Sequence, residues 1–305
     1  MKHTILITGG SGLIGKKLTA LFTAKGHDVR LLGRGFKNRE AEGLYYWNPL
    51  LGEIDEKALE GSTILIHLAG ESVAGKSWSE ERKKNIIDSR VKSTELLVET
   101  INKTGYRPQK VIAASATGYY GAVTGPHIFI ENDAPGKDFL AQVCVRWENA
   151  SLRFEKELRI PLAIIRIGVV LAREGGALQE ILKPMRFAMG AILGTGKQWV
   201  PWIHIDDLAA IVEHLVNNHE LTGVYNAVSP GHANFEALTK ASAKSLNRFV
   251  SPFNFPGAAL RLALGEQSVI VLEGSRVSSK KIRETGYTFL YPEIQQACDS
   301  LLKSD

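Results

Sequence analysis

The stretch from residue 5 to residue 15, Ile5-Leu6-Ile7-Thr8-Gly9-Gly10-Ser11-Gly12-Leu13-Ile14-Gly15, constrains this chain more than any other. Residues 5–8 read as a buried strand. They run directly into Gly9, Gly12 and Gly15, and an amphipathic segment follows with Ile14, Leu18 and Leu21 at helical spacing. Strand, glycine turn and helix in that order is the layout of a dinucleotide-binding crossover. Gly9 permits the tight turn, Gly12 lets the backbone approach a pyrophosphate, and Gly15 lets the helix pack closely on the strand. The helix start offers free N–H groups and a partial positive charge to phosphates. Ser11, Leu13 and Ile14 lie in the same turn and join the expected cofactor contacts.

The second expected strand, residues 28–32, bears on which dinucleotide binds. NAD-selective sites place an acid just after it, to bond the ribose hydroxyls. Here Gly33 and Arg34 stand in that place, with Lys37 and Arg39 close behind. An acid would repel a 2′-phosphate, whereas a guanidinium binds it in a two-pronged fork. The expected cofactor is therefore NADP.

Further strands are expected at residues 44–47, 64–68, 111–114 and 160–167, with helices at 80–101 and 139–158. This alternation predicts an α/β fold, a Rossmann-type doubly wound parallel sheet. The fourth strand ends in Leu68-Ala69-Gly70-Glu71, small residues over which a cofactor can pass. Glu71 either faces the crevice or caps the next segment. Arg90, inside the long helix, either reaches the crevice or pairs on the surface. The fifth strand runs into Ser115-Ala116-Thr117-Gly118-Tyr119, and hydroxyls at the carboxyl end of a parallel strand are well placed for chemistry.

After Gly168 the pattern breaks into glycines and tryptophans, which reads as a smaller C-terminal substrate lobe. The expected division is an NADP-binding domain of residues 1–168 plus about 203–228, and a lobe of about 169–202 plus 229–305. His204 sits at the junction, as a brace or as an aid to substrate. Asp206 or Asp207 is expected to N-cap the helix that follows.

Composition narrows the function classes. The charge of +5 comes from 37 basic and 32 acidic residues without a dense basic run, so nucleic acid is a poor partner. No apolar run approaches the ~20 residues of a membrane span. The first strand begins within four residues of Met1, and only two cysteines, Cys144 and Cys298, occur. These features predict a cytoplasmic protein. No metal-ligand cluster is read from the sequence.

Together the residues resemble the extended and atypical short-chain dehydrogenase/reductases. The carrying motifs are residues 8–15, His67-Leu68-Ala69-Gly70, Tyr120-Gly121 and Ile203-His204-Ile205-Asp206-Asp207. Residues 115–121, Arg166-Ile167-Gly168-Val169-Val170-Leu171, Trp202 before Ile203 and Leu264-Gly265-Glu266 resemble the "epimerase family protein" branch in particular. The resemblance spans nearly the whole chain. It implies a nucleotide site, a small-molecule substrate, free or nucleotide-linked, and a homodimer paired through the two long helices.

Extended members move the proton with a Tyr and a Lys four residues later on one helix face. The corresponding helix here, 139–158, holds no tyrosine. The lone Tyr-x-x-x-Lys match, Tyr106 to Lys110, contains Pro108, which breaks a regular helix. Proton chemistry is therefore expected from Ser115, Thr117 or Tyr119. Cys144 is expected to be a buried filler. Two functions remain open at this point: an NADP(H)-dependent oxidoreductase or epimerase-like enzyme, and a non-catalytic NADP(H)-binding sensor.

Overall fold

The apolar run at the amino end forms β1 (Thr4–Thr8), an interior strand of an eight-stranded sheet. The computed structural model describes residues 2–75, 77–187 and 190–303. After β1 come α1 (Leu13–Ala24), β2 (Asp28–Gly33), β3 (Leu44–Asn48), the short β4 (Glu53–Ile54), β5 (Ile64–His67), α2 (Glu80–Thr104) and β6 (Lys110–Ala116). Next are β7 (Ile128–Phe129), α3 (Phe139–Ser151), α4 (Arg153–Lys156) and β8 (Leu162–Ile167). The chain continues through β9 (Val169–Leu171), α5 (Gly176–Phe187), β10 (Trp199–Val200), β11 (Trp202–His204), α6 (Ile205–Asn217) and β12 (Gly223–Ala227). It finishes with β13 (Ala233–Asn234), α7 (Phe235–Ser245), α8 (Gly257–Leu264), α9 (Val269–Leu272), β14 (Arg276–Val277), α10 (Lys280–Glu284) and α11 (Ile294–Leu302).

The strand order is β12-β8-β6-β5-β1-β2-β3-β4. Every pairing is parallel except β3 with β4. Strand period two sends Ile5, Ile7, Ile64, Ile66 and Ile112 to one face, where α1 and α6 cover them with Leu18, Phe22, Leu208 and Ile211. Leu6, Leu65, Val111 and Ala113 go to the other face, against Leu97, Val98 and Ile101 of α2 and Phe154 of α4. The order reverses between β1 and β5, so the crevice opens at their carboxyl ends.

A separate core gathers Leu171, Leu178, Leu182, Trp202, Leu238 and Leu301 from β9, α5, β11, α7 and α11. Three two-stranded pieces connect this part: β9 with β11, β10 with β13, and β7 with β14. No helix among the described residues is long and apolar enough to cross a membrane.

Two expectations are corrected. The helix expected at 139–158 ends at Ser151 and resumes after Leu152 as α4; Arg159, at φ +59°, follows in the left-handed region. The N-cap of α6 is neither Asp206 nor Asp207 but His204, whose Nδ1 accepts from the Asp206 N–H at 3.1 Å. Both aspartates lie in the first turn, where the helix dipole favours them. Asp206 pairs with Lys17 of α1. Asp207 is fully buried and accepts from the Tyr287 hydroxyl at 2.8 Å and the Leu290 and Tyr291 N–H groups at 2.7 and 2.9 Å. Three donors offset the desolvation of that charge and fasten the segment before α11 to the first turn of α6.

Candidate functional site

At the carboxyl end of β1, Gly9 takes φ +71° and closes the turn with a Gly12 N–H to Gly9 oxygen bond of 3.0 Å. A Cβ on Gly15 would overlap the Gly9 carbonyl oxygen and lie 2.6 Å from the Gly10 Cα, so only glycine fits there. Gly12 is the N-cap of α1 and supplies no side-chain cap. The first turn carries no acid, and the first helical bond runs from Lys16 to Gly12. The N–H groups of Leu13, Ile14 and Gly15 are therefore left for a ligand.

A cavity of about 380 Å³ adjoins this turn, lined by Gly9, Ser11, Arg34, Trp47, Ala69 and Gly70 among others. Of the three basic residues after β2, Arg39 forks onto Glu42 at 2.9 and 2.6 Å, and the Lys37 ammonium lies 4.5 Å from the Tyr46 ring centre. Arg34 is exposed and makes no side-chain hydrogen bond or ion pair among the described residues. On the opposite wall a Cβ on Gly9 would come within 3.0 Å of the Leu68 carbonyl carbon, so the two strand ends almost touch.

The strand ends that line this cavity rest on a buried neutral network. The Thr8 hydroxyl meets His67 Nδ1 at 2.8 Å and accepts from the Leu68 and Ala69 N–H groups at 3.1 and 3.2 Å. The His67 Nε2 meets the Thr94 hydroxyl at 3.0 Å. Burial lowers the His67 pKa to about 3, so the ring is neutral at physiological pH.

Arg90 does not open into this cavity. Its guanidinium donates to the Ile86 and Glu71 carbonyls at 2.9 and 3.0 Å and lies 4.9 Å from the Trp147 ring centre, directly behind Gly70. Glu71 pairs with Arg82 and lines the cavity that holds Arg34. The charge on Arg82, eleven residues on in the first turn of α2, draws it there. His204 does not line this cavity either: it is 2% exposed, caps α6, meets the Ser300 hydroxyl at 3.0 Å and stacks on Tyr291 at 3.9 Å. It braces α6 against α11.

The three hydroxyls after β6 separate. Ser115 is 2% exposed and donates to Glu148 at 2.6 Å, inside the interface with α3 rather than in the crevice. Tyr119 stacks its ring on the Arg166 guanidinium, 3.3 Å from Cζ to the ring centre. Thr117 alone lines a second cavity, also about 380 Å³, and its hydroxyl makes no hydrogen bond among the described residues. The α3 residue on that cavity is Leu140. Cys144 is buried, and burial pushes its thiol up to about 12, so it is no nucleophile.

Sequence reasoning missed the ion pair behind these hydroxyls. Arg166 of β8, 3% exposed, binds Glu148 bidentately at 2.8 and 2.9 Å and also donates to the Tyr120 hydroxyl and the Glu131 carbonyl, each at 3.0 Å. Tyr120 donates in turn to Asn226 of β12 at 2.7 Å. A charge inside the otherwise apolar strand Leu-Ala-Ile-Ile-Arg-Ile was the available signal, since a buried guanidinium demands a carboxylate. Gln198, which lines the second cavity, gave none. Among the described residues no group of three or more His, Cys, Asp or Glu is arranged to hold a metal ion.

A crevice at the switch point of a parallel sheet, with a glycine turn at its lip, defines the class: this is a Rossmann-type dinucleotide-binding fold. The sequence as a whole then specifies the family. Residues 5–228 match the NAD dependent epimerase/dehydratase family, and residues 255–301 match a domain of unknown function, DUF1731. The chain belongs to that epimerase/dehydratase family. It is 35% identical over 98% of its length to an Arabidopsis thaliana epimerase family protein, the chloroplastic SDR39U1 homolog, 87% of which is covered. The crystal structure of human epimerase family protein SDR39U1 with NADPH superposes with a TM-score of 0.86 at 30% identity, covering 98% of this chain and 99% of that one. A Corynebacterium glutamicum protein described as a nucleoside-diphosphate sugar epimerase gives 0.77 at 30% identity, over 99% of this chain and 58% of that one.

Proposed function

We propose that this protein is an NADP(H)-dependent oxidoreductase acting on a small carbonyl or alcohol. The carrying observation is Arg34: of the two arginines between β2 and β3, Arg39 is paired with Glu42 and Arg34 is not, and Arg34 stands in a cavity beside the uncapped start of α1, with no acid in the place that would favour NAD. The human relative solved with NADPH supports the reading. On this reading the pyrophosphate lies on the N–H groups of residues 13–15, Arg34 holds the 2′-phosphate, and Leu68–Ala69–Gly70 flank the cofactor. Residues 169–202 and 229–305 act as the substrate lobe and supply most of the wall facing Thr117.

When bound, the cofactor supplies a hydride to a carbonyl carbon, and the carbonyl oxygen takes a proton; the products are the alcohol and the oxidised cofactor. On this reading Thr117 hydrogen-bonds that oxygen; its place on the cavity lining, with a hydroxyl that makes no hydrogen bond among the described residues, supports the role. A second reading, a non-catalytic NADP(H)-binding protein, is favoured by one observation: α3 presents Leu140 to the cavity and contains no tyrosine.

Titration of NADP+ and NAD+ into the parent and into Arg34→Ala tests the cofactor site. A charge-assisted contact contributes about 1.5–3 kcal/mol, so Arg34→Ala should weaken NADP+ by roughly one to two decades and leave NAD+ nearly unchanged. Equal affinity for both in the parent would overturn the assignment. NADPH oxidation with a panel of aldehydes and ketones then separates enzyme from binding protein.

A further inference from the structure

We infer that the face formed by residues 249–264 docks on an anionic lipid surface. Among the described residues thirteen large apolar side chains are exposed, and six of them fall between residues 249 and 270, so the exposure is concentrated rather than scattered. Phe249, Phe253 and Leu262 are 86, 82 and 90% exposed. They belong to one continuous stretch with its own backbone bonds. Residues 249–255 run beside residues 190–194, where Gly190 N–H donates to the Phe249 carbonyl, Ser251 N–H to the Gly190 carbonyl and Phe255 N–H to the Ile192 carbonyl, each at 2.8 Å. Pro256 then N-caps α8. This helix departs from the pattern of a surface helix. Its sequence, Gly-Ala-Ala-Leu-Arg-Leu-Ala-Leu, has one polar side chain, yet none of its residues is buried. A helix apolar on all sides is ordinarily covered by protein or by lipid. Among the described residues nothing covers this one.

Charge selects the cover. Residues 247–264 contain no acid, and their charged residues are Arg248 and Arg261. Arg261 lies 3.8 Å from Glu273. Arg248, beside Phe249, and Lys244, in the last turn of α7, are exposed and make no ion pair or side-chain hydrogen bond among the described residues. Exposed phenylalanine and leucine with unpaired cations beside them suit the headgroup layer of an anionic bilayer: the apolar side chains leave water and the cations stay at the phosphates. A second copy of this chain seated face to face would instead set these cations against their own kind. At about 12 Å long, α8 lies on such a surface and does not span it. The same face runs into one wall of the Thr117 cavity. Phe255 is paired with Leu193, and Val269, Ile270 and Val271 follow α8; Leu193 and these three line that cavity, and Ile270 is itself exposed.

Co-sedimentation of the full chain with sucrose-loaded vesicles tests the inference, at about 0.1 M salt so that exposed charges still act over the headgroup layer. One set of vesicles is phosphatidylcholine alone, and the other carries about one-third phosphatidylserine. The parent should partition onto the anionic vesicles at least about tenfold more strongly than onto the neutral ones. Phe249→Ser, Phe253→Ser and Leu262→Ser combined should weaken that partition at least about tenfold, and Arg248→Glu alone about fivefold or more. All four side chains point away from the core, so thermal melts and NADP+ affinity should stay at parental values in both variants, which separates loss of docking from loss of fold. No partition of the parent onto either vesicle, or equal partition onto both, would overturn the inference without any variant. Undiminished binding by the triple variant would overturn it as well, by placing the contact elsewhere. A parent dimer in sedimentation velocity that the triple variant converts to monomer would assign the face to a second copy of the chain instead.

Discussion

The two cavities at the carboxyl edge of the sheet have the same volume, about 380 Å³, and opposite construction. The one at Gly9 carries an exposed cation, Arg34, and the strand ends that line it rest on buried neutral groups, Thr8, His67 and Thr94. The one at Thr117 has an apolar wall, with the ion pair of Glu148 and Arg166 sequestered behind it. The Gly9 cavity thus holds an unpaired cation, whereas the charged groups on the Thr117 cavity, Glu180 and Glu273, have the cationic partners Lys183 and Arg261. The difference has consequences for stability. An ionic support fails when one partner is removed, whereas a neutral support fails when a proton is added.

The largest expected effect follows from the ionic side. Glu148→Leu leaves the Arg166 guanidinium buried without its counter-charge and should lower unfolding stability by about 3–5 kcal/mol, read from urea midpoints at constant slope. Combining it with Arg166→Met should recover most of that loss, because an apolar pair of similar volume is tolerated where a lone charge is not. A single-variant loss under about 1 kcal/mol would mean that the pair is solvated and the comparison false.

The neutral side should respond to acid. The pKa of His67 is depressed in the folded protein, from 6.5 to about 3, by burial. Below pH 6.5 the unfolded chain therefore takes up a proton that the folded protein refuses. Stability from this group is present above pH 6.5 and is lost as pH falls toward 3, at up to about 1.4 kcal/mol per unit. Between about pH 6.5 and 4.5 the parent should lose roughly 2–3 kcal/mol more than His67→Gln does. His3, His27, His204 and His232 also have lowered pKa values, chiefly through burial, so the informative quantity is the difference between the two proteins. Parallel pH profiles would show that His67 does not underlie the cavity in neutral form.

How much of this was legible in the sequence follows the same division. The Gly9 cavity is local: residues 5–15 and Arg34 border it through backbone shape and one side chain near their own strand ends, which is the kind of grouping that spacing can express. The sheet was legible for the same reason, since buried parallel strands are short apolar runs between helical segments. The Thr117 cavity is assembled from residues 117, 140 and 198 and the segment around 270, brought together only by the tertiary fold. Spacing carries no information about such a set. Ser115 and Thr117 looked equivalent as hydroxyls at one strand end; what separates them is Glu148, thirty-three residues away on α3. Asp207 looked like a cap because it opens a helix, and only the donors at 287, 290 and 291 show why a carboxylate is buried there.

The smallest expected effect on stability is also the sharpest probe of the Thr117 side, because it sets two hydroxyls two residues apart against each other. Ser115→Ala removes a hydrogen bond to a buried carboxylate and should cost about 1.5–3 kcal/mol of stability. Glu148 keeps its bidentate arginine, so the fold should hold. Thr117→Val removes a hydroxyl with no protein partner among the described residues and exchanges it for a methyl in an apolar wall, so stability should move by no more than about 0.5 kcal/mol. Its effect should appear in the ligand instead. Loss of one uncharged hydrogen bond to the substrate oxygen corresponds to roughly three- to tenfold in kcat/KM for whichever ketone of the panel turns over. Paired thermal melts and NADPH-oxidation rates for the two variants read both quantities. A Thr117→Val protein with full turnover would remove this residue from the chemistry; a stable Ser115→Ala protein without turnover would return the role to Ser115.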